Sequence, residues 1–228
     1  MPYYYFDSTM LILLPALLIA AWAQFNIQSS YAKYSKIFSR NGYTGSQVAR
    51  MILDGYGLFH VPVVVIGGKL SDHYDPTENV VKLSQEVFYG ESLASIGIAA
   101  HEVGHAIQHR DAYGPIKIRM ALVPVANIGS SASWILFILG FILSMPALIN
   151  LGILLFSAVV LFQIVTLPVE FNASSRAVAI LKNRNILHED EINGTKKVLR
   201  AAALTYVAAA ITAIAQLLRL IALSNRER

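Results

Sequence analysis

Four stretches of this chain are too apolar to face water, and they constrain its fold more than any other feature. They fall at residues 10–25, 122–143, 147–169 and 201–223. A hydrocarbon core about 30 Å thick takes about 20 apolar residues in helical form, so each stretch is near the length of a spanning or deeply embedded helix. Composition agrees. Of 228 residues, 55% are hydrophobic and only 14% are charged, and the mean hydropathy is +0.53, outside the balance of soluble domains. The first stretch is the shortest, and Ala21-Trp22-Ala23 looks like a small-x-small cleavage site. Residues 1–7 hold no Lys or Arg, however, where a signal peptide carries a basic segment. The stretch therefore reads as a retained anchor.

Basic residues flank these stretches unevenly. Lys33, Lys36 and Arg40 follow the first; Arg110, Lys117 and Arg119 precede the second; Arg176, Lys182 and Arg184 follow the third; and Lys196, Lys197 and Arg200 precede the fourth. The tip Ser144-Met145-Pro146 has none. The positive-inside rule then puts the N-terminus outside, residues 26–120 in the cytoplasm and the tip outside again. Arg226 and Arg228 run against this if the fourth stretch spans fully, and Arg219 near its end would have to snorkel. The net charge of +4 and pI near 9.3 raise nucleic acid as a partner. The charges flank apolar helices and do not gather with aromatics on one soluble face, so nucleic acid is not expected and the lipid bilayer is. With no cysteine, disulfides and thiolate metal sites are excluded.

Between the first two stretches lies enough chain for one small domain. Thr44-Gly45-Ser46-Gln47 has the form of a capping box that opens a helix through about Tyr56, with Val48, Met51 and Ile52 on one face. Residues 61–66 and 79–84 read as two strands of a hairpin. Gly67-Gly68 and Asp75-Pro76 mark turns in the loop between them. A helix follows from about Glu91 to His109. Val80, Val81, Lys82 and Leu83 admit two readings: an edge strand to which an extended peptide adds by main-chain hydrogen bonds, or an ordinary covered strand.

The last of these helices carries the chemistry. His101-Glu102-Val103-Gly104-His105 follows the small apolar run of residues 93–100. Side chains four apart share a helix face, so His101 and His105 can close on one metal ion, with Glu102 beside its open coordination position. Zinc there lowers the pKa of bound water to about 7 and polarises a carbonyl, and Glu102 serves as general base. A catalytic zinc takes three protein ligands. His109 continues the i, i+4 spacing but lies about 12 Å along the helix from His101 at about 1.5 Å per residue, so it reads as a polar residue near the helix end. Among carboxylates Glu170 stands out, because an acid where an apolar helix leaves the bilayer is a functional candidate. The alternative is an interfacial Glu paired with Arg176. Glu86 and Glu91 fit the start of the metal helix better, and Asp72 and Asp75 sit in a turn where Asp is common.

Residues 101–109 (His-Glu-Val-Gly-His-Ala-Ile-Gln-His), 70–76 (Leu-Ser-Asp-His-Tyr-Asp-Pro) and 167–174 (Leu-Pro-Val-Glu-Phe-Asn-Ala-Ser) together resemble the YugP-like membrane zinc metallopeptidases. The resemblance covers nearly the whole chain and extends in layout to the gluzincin peptidases. It implies a single zinc per chain on His101, His105 and Glu170, with Glu102 as base. Many gluzincins carry an Asp four residues after the ligand Glu to orient a histidine. This chain has Ser174 there, so support for the ligands is expected from Asn172 or Asp72. His73, Tyr74 and Arg176 are candidates to stabilise the oxyanion.

The expected fold is α+β and mainly α. Residues 1–25 form an anchor, 26–120 a zincin-like domain of helix, β-hairpin and active-site helix, 121–169 a membrane hairpin, 170–200 the segment with the third ligand, and 201–228 a final membrane helix and basic tail. The expected function is an integral-membrane zinc endopeptidase acting at the cytoplasmic face on peptides or membrane-protein segments. A metal-binding scaffold without catalysis and an intramembrane-cleaving protease are the alternatives. The apolar run before His101 is well short of the roughly 20 residues that span a bilayer, which counts against the second. A transporter would place polar groups near the midplane of several spans, and these stretches are mainly small and aliphatic.

Overall fold

A computed structural model of the chain describes residues 8–226. Residues 1–7, which hold no Lys or Arg, and the tail residues 227–228 lie outside the described residues. The fold is α+β and mainly α. A 3-10 turn, Ser8–Ile12, leads into α1 (Leu13–Tyr34), followed by α2 (Gly45–Gly55), β1 (Val63–Ile66), β2 (His73–Asp75), β3 (Val80–Ser84), α3 (Gln85–Phe88), α4 (Leu93–Arg110), α5 (Gly114–Ile142), α6 (Pro146–Asn183) and α7 (Glu189–Arg226). Among the described residues four helices are long and apolar enough to cross a membrane: Thr9–Tyr34, Gly114–Ile142, Pro146–Asn183 and Glu189–Asn225.

The chain divides into two compact units. One takes the chain up to Ala23, Ile118–Leu167 and the chain from Thr205 onward. Its core gathers Phe137, Ile149, Phe156, Val160 and Leu220. Small residues let α5 and α6 meet closely: a Cβ on Gly152 would stand 2.8 Å from the Ser133 carbonyl oxygen, and one on Gly140 would stand 2.8 Å from the Ile149 nitrogen. Such contacts hold helices together where no hydrophobic force separates them from lipid.

The other unit takes Gln24–Lys117 and Pro168–Leu204. Its core is continuous through Val48, Ile52 and Leu53 of α2, Val81 and Leu83 of β3, Ile96, Val103 and Ile107 of α4, Leu181 of α6 and Val198 of α7. The capping box forms as its sequence predicts. The Gln47 amide donates to Thr44 Oγ1 at 3.3 Å, and the Thr44 amide donates to Gln47 Oε1 at 2.9 Å. The buried face of α2 differs from expectation: Val48, Ala49, Ile52 and Leu53 are wholly buried, whereas Met51 is 39% exposed.

The sheet corrects the expected hairpin. Its order is β1-β3-β2, with β1 parallel to β3 and β2 antiparallel to it. The tight turn joins β2 to β3: Asp75 Oδ1 accepts from the Thr77 and Glu78 amides at 2.9 and 3.1 Å, and Asn79 takes a left-handed φ of 56°. Asp and Asn favour such a turn for these reasons. The turn folds β2 back onto one side of β3, and β1 pairs with the other side in the same direction as β3. Hence Val80, Val81, Lys82 and Leu83 do not form an edge. β3 is paired on both flanks, with β1 along Val81–Ser84 and with β2 along Val80–Lys82, so it is the central strand; the edges are β1 and β2. A three-residue strand of His, Tyr and Asp carries too little apolar alternation to be read as one.

Candidate metal centre

Helix α4 begins at Leu93 behind Ser92, whose Oγ accepts from the Ser95 amide at 3.1 Å. Ser92, not Glu91, is thus the cap. Glu86, expected at the same helix start, instead accepts from the Tyr31 hydroxyl at 2.7 Å. From this start, His101 and His105 fall one turn apart on the side that meets α6. Gly104 lies between them, and a Cβ there would stand 2.9 Å from the Ala173 carbonyl oxygen and 3.3 Å from its Cα. Only glycine lets the two backbones approach this closely. The approach brings in Glu170 of α6, which is 2% exposed.

Glu170 Oε2 lies 3.2 Å from His101 Nε2 and 3.6 Å from His105 Nε2. The two imidazoles stand edge to face, 4.7 Å between centroids. One ligand atom from each of His101, His105 and Glu170 lies within 4.8 Å of the other two. The structure therefore brings together the three residues that the sequence singled out.

The supporting contacts decide which nitrogens can bind. Gln108 is wholly buried, and its Nε2 donates to the Val169 carbonyl at 2.8 Å and to Asn172 Oδ1 at 2.9 Å. Both amide hydrogens are thereby used, so Gln108 Oε1 faces His105 Nδ1 at 3.0 Å as an acceptor. Nδ1 of His105 accordingly carries its hydrogen, and the Nε2 lone pair points to the site. Ser174 Oγ lies 3.1 Å from His101 Nδ1 and plays the matching part for that ring. Support expected from elsewhere thus comes from Ser174 itself. Asn172 contributes one step removed, through Gln108, and Asp72 does not touch the histidines: it accepts from the Ser84 amide at 2.7 Å and the Ser84 hydroxyl at 3.0 Å. Two imidazoles presenting Nε2, each held from behind, and one buried carboxylate are a donor set that suits zinc with a position left open.

Glu102 is buried on the neighbouring face of α4, where its Oε2 accepts from the Tyr74 amide of β2 at 3.0 Å. Burial pushes its pKa up to about 7, against the lowering effect of His101 and with the Glu170 and Asp72 carboxylates adding to the rise. A carboxylate poised near neutrality can take and return a proton at working pH. Two of the three oxyanion candidates are committed elsewhere. The Tyr74 hydroxyl is 2.6 Å from Asn79 Oδ1 and 2.7 Å from His109 Nδ1. Arg176 donates from Nε to Asn172 Oδ1 at 2.8 Å and from Nη1 to Asp111 Oδ2 at 2.7 Å, so it is not the ion-pair partner of Glu170 either. His73 is exposed, with Nδ1 2.8 Å from the Ser71 carbonyl oxygen.

Residues 9–225 match the family described as "Putative neutral zinc metallopeptidase". The chain belongs to that family. A relative from Bacillus subtilis (strain 168), "Putative membrane protease YugP", is 51% identical over 206 residues, which is 90% of this chain and 92% of the relative. No solved structure matches the chain. For this zinc metallopeptidase family member, sequence reasoning missed Gln108 and Ser174. A polar residue three positions after His105, on the same side of the helix, was the available signal for Gln108.

Proposed function

We propose that the chain is an integral-membrane zinc endopeptidase. The convergence of His101, His105 and Glu170 beside Glu102 carries this reading: two segments 69 residues apart deliver the donors and the proton acceptor to one place. Zinc, when bound, supplies a Lewis acid that acidifies water and polarises the scissile carbonyl. His101, His105 and Glu170 would hold it. Ser174 and Gln108 fix the rings, and the backbone contact at Gly104 sets how far Glu170 reaches. Glu102 removes a proton from the attacking water and passes it to the leaving amine. Its Oε2 is steadied by the Tyr74 amide, and its elevated pKa suits both transfers. Of the oxyanion candidates this leaves His73.

The relative's name and the four apolar helices support a membrane location, and the basic flanks support a site facing the cytoplasm. Substrates on this reading are peptides or membrane-protein segments reached from that side.

The test is cleavage of dye-labelled casein by the purified full chain, with and without chelator, beside Glu102→Gln. Cleavage should require metal and fall by about a thousandfold or more in Glu102→Gln, while zinc stays at one per chain. Unchanged cleavage in Glu102→Gln, or in chelator, would overturn the reading.

A further inference from the structure

Tyr74 is attached to α4 at two points, and only one of them lies in the site. Its amide leaves the β2–β3 ladder and donates to Glu102 Oε2 at 3.0 Å. Its phenol, 8% exposed as a residue, gives its single hydrogen to Asn79 Oδ1 at 2.6 Å. The phenol oxygen is then an acceptor for His109 Nδ1–H at 2.7 Å. Glu102 and His109 are seven residues apart, two turns along α4, and so share one face of the helix. One strand residue thus spans that face, main chain on the carboxylate and side chain on the imidazole. Asn79 closes the arrangement from the β2–β3 turn, in the left-handed backbone that the turn needs.

We infer that His109, through the Tyr74 phenol, is a positioning residue: it sets how β2 is docked along α4 and so keeps the Tyr74 N–H on Glu102, fixing where the other carboxylate oxygen points. This rests on Glu102 being the base, but the contact itself is independent of turnover. A single amide donor on a buried carboxylate restrains it only if the donor is itself held. Here the phenol supplies that restraint, and its partners come from a helix and a turn.

Site-resolved hydrogen exchange on the full chain in lipid nanodiscs tests this. Tyr74→Phe deletes the hydroxyl without changing ring volume, and His109→Gln moves the donor from the δ to the ε position. Each should speed exchange of the residue-74 amide by about tenfold, the loss of roughly one hydrogen bond's protection. The Val81 amide, bonded to the Pro62 carbonyl at 3.0 Å in the same sheet, should stay unchanged. His109→Asn places an amide nitrogen where Nδ1 stood and should recover most of the protection. In the casein assay, kcat should fall in Tyr74→Phe and His109→Gln with KM and zinc content unchanged. Unaltered exchange at residue 74 overturns the inference, as does equal acceleration at Val81 or an Asn variant no better than Gln. Absence of casein cleavage in the unsubstituted chain would strike the peptidase reading alone, since exchange needs no turnover.

Discussion

Ring orientation at the metal centre is decided by two uncharged side chains. Gln108 spends both amide hydrogens on α6, at Val169 and Asn172, and so can meet His105 only as an acceptor. Ser174 faces His101 with a hydroxyl, which serves as acceptor or donor. A carboxylate there would place a second negative charge close to the ligand Glu; a serine orients the ring without it. Ser174→Ala and Gln108→Ala should each weaken zinc binding by about 10- to 100-fold, as loss of such supporting bonds does elsewhere. Gln108→Ala should be the worse, because it also takes a donor from the Val169 carbonyl, whereas Asn172 Oδ1 keeps its bond from Arg176 Nε. Competition titration with a chelating dye measures both. Equal affinity in Ser174→Ala would mean that His101 is oriented by packing alone. The three converging residues His101, His105 and Glu170 were legible in the sequence because spacing and residue type state the chemistry they could do. The supports were not, since Ser and Gln orient a ring only through partners brought near by the tertiary fold.

At the level of elements, the approach of α4 to α6 and the hairpin β2–β3 each rest on a local feature. Gly104→Ala introduces a methyl 2.9 Å from the Ala173 carbonyl oxygen, a contact that backbone, unlike a flexible side chain, relieves only by moving. The expected result is a destabilisation of about 1–3 kcal/mol and weaker zinc binding, because Glu170 is carried away with α6. Thermal unfolding with and without zinc reads both, and a variant with unchanged zinc affinity would show that Glu170 does not depend on the close approach. In the hairpin, Lys82 bonds Asp75 Oδ2 at 2.9 Å, and this contact together with the Glu78 and Thr77 amides lowers the Asp75 pKa to about 2 from 3.8. The folded pKa lies below the unfolded one, so this contribution is complete above about pH 4 and fades as pH falls toward 2. Asp75→Asn should therefore flatten the acid limb of stability across that window, and an unchanged limb would assign it to other carboxylates. Helix existence could be read from apolar period and capping residues in 44–47. Strand pairing could not, because a three-residue strand leaves no periodic trace, and without β2 the two longer strands looked like neighbours in a hairpin.

For the molecule as a whole, the property to test is sidedness. It rests on Lys and Arg placement and is testable in this cysteine-free chain. Single cysteines at Thr77 and Lys182, both exposed, should resist a membrane-impermeant maleimide in intact cells and react after permeabilisation, whereas Ser144→Cys at the α5–α6 tip should react at once. Labelling of Thr77→Cys before permeabilisation would move the site to the outer face and replace its substrates with extracytoplasmic ones. The four apolar stretches were evident from composition, whereas the full length of α6, Pro146–Asn183, which carries both the third apolar stretch and Glu170, was not. That ordering also bears on when, during synthesis, the site can be complete. His101 and His105 are translated early and Glu170 follows 69 residues after His101, beyond the whole α5–α6 tip. A growing polypeptide therefore lacks one member of the converging set until α5 and most of α6 have been made. On the proposed peptidase reading, synthesis order would act as a safety catch, with no complete donor set before that point.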